Sequence, residues 1–119
     1  VDREGGRMAK CDGEVESIRG LHVLFTGKVI VEGEQITRPN LKKRAALMGA
    51  YYMAHETGLI DVLVHGDLRS QIVKDPLRLR SQKIIYVEQL MRTTGRHIHI
   101  INGPGFGALI RGRSAPCLT

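Results

Sequence analysis

Thr26, Gly27 and Lys28 follow one another directly after an apolar run, Leu21-His22-Val23-Leu24-Phe25. A hydroxyl, a residue without a Cβ and an ammonium group in that order suit the capture of a phosphate. The glycine lets backbone N–H groups approach an anion closely, and the side chains add donors and charge. The same pattern also fits an ordinary strand followed by a turn.

Other candidates are weaker. Lys42-Lys43-Arg44 reads as the solvated face of a helix, and the same bases can extend a footprint on a DNA backbone. His97 and His99 alternate, so on a strand they share a face. Without a neighbouring Cys or acid in sequence they read as surface histidines, and no metal site is expected. Residues 103–107 (Gly-Pro-Gly-Phe-Gly) are glycine-rich but lack the Gly-Lys-Ser/Thr ending of a phosphate-binding loop. Glu32, Glu34, Glu56, Asp61, Asp67 and Asp75 fall mostly in expected loops or at element ends. No Ser-His-Asp, Cys-His or paired-carboxylate set can be assembled, so neither an enzyme nor a cofactor is expected.

The chain has 119 residues, enough for one small domain with tails. Its 42% hydrophobic content is adequate for a core, but only 4% is aromatic and there is no Trp, so packing must lean on Leu, Ile, Val and Met. The net charge of +6 favours acidic partners such as nucleic acid or a phosphorylated peptide. Bases dominate from Arg96 onward, a segment that holds Arg96, Arg111 and Arg113 and no acid. Cys11 and Cys117 lie in opposite terminal segments and make no disulfide framework, which suits a reducing compartment. No apolar run approaches membrane-spanning length and no secretory h-region is read, so no membrane partner is expected.

These residues must be positioned by local elements. Residues 1–17 are polar and aperiodic and read as a flexible arm, with order beginning near Ile18. Residues 21–26 form a first strand, apolar on both faces as in a parallel sheet. Residues 28–36 read as a loop with Gly33 at its tip. Thr37 is an N-cap and Pro39 lies in the first turn of a helix that carries Leu41, Ala45 and Met48 and ends at Gly49. Strands follow at 50–54 and 61–65, the latter closed by Gly66. A loop over 67–74 leads to a second helix starting at Asp75-Pro76. Lys83-Ile84-Ile85-Tyr86 reads as the fourth strand, and residues 87–94 as a last helix with Leu90 and Met91 inward. Residues 97–101 can add an edge strand, and a Gly/Pro loop then enters a basic tail. The expected fold class is therefore α/β: a small four-stranded parallel sheet flanked by about three helices, in the order β-α-β-β-α-β-α.

That order and its landmarks resemble a BRCT domain over residues 18–95, followed by a C-terminal extension over 96–119. The landmarks are Gly20-Leu21…Phe25-Thr26-Gly27, the Gly49 turn, Asp61-Val62-Leu63-Val64-His65-Gly66, and Lys83-Ile84-Ile85 ahead of a short final helix. The likeness is greatest to the subgroup in bacterial NAD-dependent DNA ligase and the large subunit of replication factor C, which shares the Thr-Gly ending of strand one. Three departures stand out. Ala50 replaces the second glycine after helix one, Leu90 stands near the place of a family Trp, and Pro76 sits where the second helix usually begins.

The resemblance implies a non-catalytic module that binds phosphate groups, DNA ends or proteins. It implies a pocket built from Thr26, the backbone N–H of Gly27 and a lysine near the start of helix two, for which Lys74 is the candidate. Arg38 would add a contact to 5′-phosphorylated DNA. Lys74 just before a helix N-terminus, and the planar fork of Arg38, suit that chemistry. The expected partner is DNA, through a 5′-phosphorylated end, with Lys28, Lys42 and Lys43 widening the footprint. The activity served would be replication or repair held elsewhere, as in a DNA ligase-like enzyme. The alternatives are a phosphopeptide- or protein-interaction module, and a domain whose pocket is unused. The expected location is cytoplasmic in a bacterium and nuclear in a eukaryote.

Overall fold

Val23 and Phe25 face one side of a central strand and Leu24 the other, and all three are buried. The computed structural model describes residues 13–66 and 82–118. Its main sheet has four parallel strands. β2 (His22–Thr26) lies between β5 (Tyr51–Met53) and β6 (Val62–His65), and β7 (His99–Asn102) pairs with the far side of β6. Burial on both faces explains why these strands read as apolar runs rather than alternating ones.

Among the described residues three helices cover the sheet. α1 (Arg38–Leu47) and α3 (Gly103–Ile110) pack on the face of Val23, Phe25, Val62, Val64 and Ile101. α2 (Gln82–Thr94) places Ile84 and Val87 on the opposite face, against Leu24, Leu63 and Ile98. The mixed α/β architecture, with a four-stranded parallel sheet and three helices, follows the expected class. Thr37 is the N-cap of α1 and a proline follows in its first turn. At the other end Gly49 N–H donates to Ala46 O and Ala50 N–H to Ala45 O, closing the helix in a Schellman arrangement.

Several local expectations fail. Residues 83–86 are not a strand but the first turns of α2, because Ile84, Val87 and Met91 recur at helical spacing and turn toward one core. The fourth strand is β7, and residues 102–107 are not a loop. Asn102 caps α3 by accepting a 2.7 Å hydrogen bond from Gly105 N–H, and Phe106 and Leu109 are buried. The glycines of α3 permit close packing: a Cβ on Gly107 would stand 2.7 Å from Val31 Cγ1, and one on Gly103 2.9 Å from Ile30 O. The end of α3 repeats the α1 device, with Arg113 N–H donating to Ala108 O and Gly112 N–H to Leu109 O.

Residues 28–36 are a hairpin rather than a loop. β3 (Val29–Val31) and β4 (Glu34–Ile36) meet at a tight Glu32-Gly33 turn whose residues both have positive φ. Order also begins before Ile18. β1 (Glu14–Val15) pairs with β8 (Ala115–Pro116), and Val15 enters the core, so the expected arm cannot extend to residue 17. The expected loop over 67–74 and the helix from Asp75 lie outside the described residues. No helix among the described residues is long and apolar enough to cross a membrane.

Candidate functional site

Thr26 ends β2 at the C-terminal edge of the parallel sheet, where open α/β sheets bind their ligands. It is buried, and its backbone C=O accepts a 2.7 Å hydrogen bond from Gly66 N–H at the end of β6. The two segments approach so closely that a Cβ on Gly66 would clash with Lys28 O. Gly27 then turns the chain with a φ of 76°. That left-handed conformation costs little for glycine and strains other residues.

Two cations converge on the carbonyls that flank Thr26. Lys83 Nζ donates to Phe25 O at 2.9 Å, and Arg38 Nη2 donates to Gly27 O at 3.1 Å. Lys83 comes from the start of α2 and Arg38 from the first turn of α1, so the sheet edge draws together two helices from opposite faces. Each side chain gives one N–H group to the backbone. Their remaining N–H groups provide donors for an incoming acceptor.

The electrostatics of the pair are unfavourable in isolation. Burial holds the Lys83 ammonium below the ordinary lysine range, the Arg38 guanidinium lowers it further, and Glu56 acts in the opposite direction. An anion between the two cations would offset both the burial and the repulsion. Beside them, Gly27, Lys28, Gln35, Ile36 and Arg38 line a depression of about 240 Å³. His65 sits level with Thr26 on the neighbouring strand. Its Nε2 is buried without a hydrogen-bond partner among the described residues, and burial lowers its pKa below 6.5.

The other residues singled out in the sequence fall into distinct places. Lys28 is half-buried and borders both that depression and a recess of about 400 Å³ beside His65 and Asn102. Lys42 and Lys43 are exposed on α1, and Lys43 faces a separate groove with Arg44 and Glu34. Lys74 lies outside the described residues. The bases of the C-terminal segment are partly engaged within the fold. Arg96 donates to the carbonyls of Gly58 and Ile60 and pairs with Asp61, and Arg111 pairs with Glu32.

Sequence reasoning missed Lys83, because Lys83-Ile84-Ile85-Tyr86 imitates a short buried strand. The recurrence of Ile84, Val87 and Met91 was the available signal: it makes the segment helical and leaves Lys83 in the first turn. No protein-family model matches the chain, and no curated protein or solved structure matches it.

Proposed function

We propose that this chain is a BRCT-like, non-catalytic module that receives the 5′ phosphate of a DNA end at the C-terminal edge of its sheet. Thr26 and the Gly27 N–H would hold phosphate oxygens, Lys83 would take the part of the helix-two lysine, and Arg38 would grip a phosphate with its fork. The observation that carries this proposal is the convergence of Lys83 and Arg38 on the carbonyls either side of Thr26.

Three further features support it. The arrangement runs β2-α1-β5-β6-α2-β7-α3, the strand and helix order of the resemblance once its last units are moved toward the C-terminus. Phe106, buried in α3 and edge-on to Phe25 at 5.2 Å, gives the third helix an aromatic anchor that Leu90 does not supply. The net charge of +6, with Lys42 and Lys43 exposed on α1, favours a polyanion over a ligand with one phosphate. Such a module would serve replication or repair by holding a partner activity at a DNA end.

Fluorescence anisotropy tests this with labelled duplexes that differ only in a 5′ phosphate, at two salt concentrations. The expected result is tighter binding of the phosphorylated duplex and a steep loss of affinity with salt. Preference for a phosphorylated peptide, with shallow salt dependence, would favour the protein-interaction alternative instead.

A further inference from the structure

A second cluster lies at the other end of the sheet. In the strand register His99 is level with Val62 and Val23, three residues before Thr26, which is roughly 10 Å along a strand. The fold brings Cys117 to His97 and His99. Cys117 Sγ stands 3.7 Å from His97 Nε2 and 3.5 Å from His99 Nδ1, and the three ligand atoms all lie within 4.8 Å of one another. The histidines are therefore not the surface pair expected from sequence. All three residues are half-buried, between the edge strand β7 and the C-terminal segment.

We propose that His97, His99 and Cys117 form a zinc site with three protein ligands and a fourth position open to water or another ligand. The distances fit. Zn–S of about 2.3 Å and Zn–N of about 2.0–2.1 Å at the tetrahedral angle put S and N about 3.6 Å apart. Both observed S···N separations lie within a tenth of an ångström or so of that edge. The imidazoles cross at 84° with centroids 4.8 Å apart, so their nitrogens approach the sulfur from different directions instead of stacking. Two imidazoles and a thiolate are a borderline-soft donor set that suits zinc and not magnesium or calcium.

The backbone holds the donors in place before any metal arrives. His99 belongs to β7, hydrogen-bonded along β6. Cys117 N–H donates to Gly13 O at 2.8 Å, and Leu118 N–H donates to Ile100 O at 2.7 Å. The segment bearing the thiol is thus tied both to the N-terminal strand and to the sheet edge. Little chain entropy remains to be lost when the ligands close on an ion. The metal would fasten the segment after β8 along β7, covering an edge that would otherwise present unpaired backbone groups. It would act as a staple remote from Thr26, and the proposal does not rest on the phosphate site.

The test uses the full chain, free of any affinity tag and stripped with a chelator. Calorimetric titration with zinc should give one saturable site. Cys117→Ser and His99→Asn should each weaken binding about tenfold or more, while His55→Asn, on an exposed histidine, should leave it unchanged. Two readouts on the parent chain do not depend on any variant folding. X-ray absorption of the zinc complex should show a sulfur at about 2.3 Å. Zinc should also slow alkylation of Cys117, read by mass on the peptide that contains it. Absence of saturable binding, binding retained in both ligand variants, or alkylation of Cys117 indifferent to zinc would overturn the proposal.

Discussion

Lys83 Nζ donates a 2.9 Å hydrogen bond to the carbonyl oxygen of Phe25, one residue before Thr26. The bond pins the start of α2 to the end of β2 and places an ammonium group where β2 hands over to its turn. Truncating that side chain removes a charged donor from the proposed phosphate site. Charge-assisted hydrogen bonds contribute about 1.5–3 kcal/mol, so Lys83→Ala should weaken binding of a 5′-phosphorylated duplex by roughly 10–100-fold. Anisotropy titration measures this, and circular dichroism should show the fold retained.

The lowered pKa of Lys83 gives the binding a pH signature. Phosphate capture requires the protonated amine. As pH rises through the lowered value the free site loses its charge, earlier than an ordinary lysine would. Affinity for the phosphorylated duplex should therefore begin to fall below the usual lysine range. In Lys83→Arg, whose guanidinium stays charged, that fall should be absent. Titrations across alkaline pH in both proteins distinguish the two courses.

Phe106 is fully buried and meets Phe25 edge-on, joining α3 to the central strand. Phe106→Ala should cost about 3–5 kcal/mol, read from urea unfolding. Ending the chain at Gly95 removes both β7 and α3, and with them Ile98, Ile101, Phe106 and Leu109 from the two cores. That shortened chain should show no cooperative unfolding transition.

What could be read from sequence divides along physical lines. β2, β6 and the caps of α1 were legible because a buried parallel strand is a continuous apolar run and a Thr-x-Pro start is a local signal. Thr26 and Gly27 were legible as candidates because they end such a strand, whereas Arg38 entered only through the BRCT resemblance. The C-terminal third was not. Ile84-Ile85-Tyr86 carries strand-like residues on a helix; the 3–4 spacing of Ile84, Val87 and Met91 competes with that local signal, and packing against Leu24 and Leu63 decides between them. In α3 the helix signal lay in Asn102, Pro104 and Gly112, and three glycines hid it. The packing role of Gly103 and Gly107 exists only once β3 lies against the helix. Cys117 and His99, eighteen residues apart, meet because the segment after β8 runs beside β7, where Leu118 N–H donates to Ile100 O, and no local pattern records that.

His65 predicts an acid sensitivity of the fold. Burial lowers its pKa below the ordinary 6.5, so the unfolded chain takes up the proton first as pH falls. Stability should decline from pH 6.5 down to the lowered value and then level off. Thermal melts at stepped pH should show that loss in the parent, and His65→Gln should flatten it.

The most direct measurement of the central claim is the affinity ratio between 5′-phosphorylated and unphosphorylated duplexes, compared in the parent and in Thr26→Ala. The account predicts a clear preference for the phosphorylated end in the parent and its loss in Thr26→Ala, with residual salt-dependent binding to either duplex through the remaining bases. Equal affinity for the two duplexes in the parent, or a preference that survives in Thr26→Ala, would contradict it.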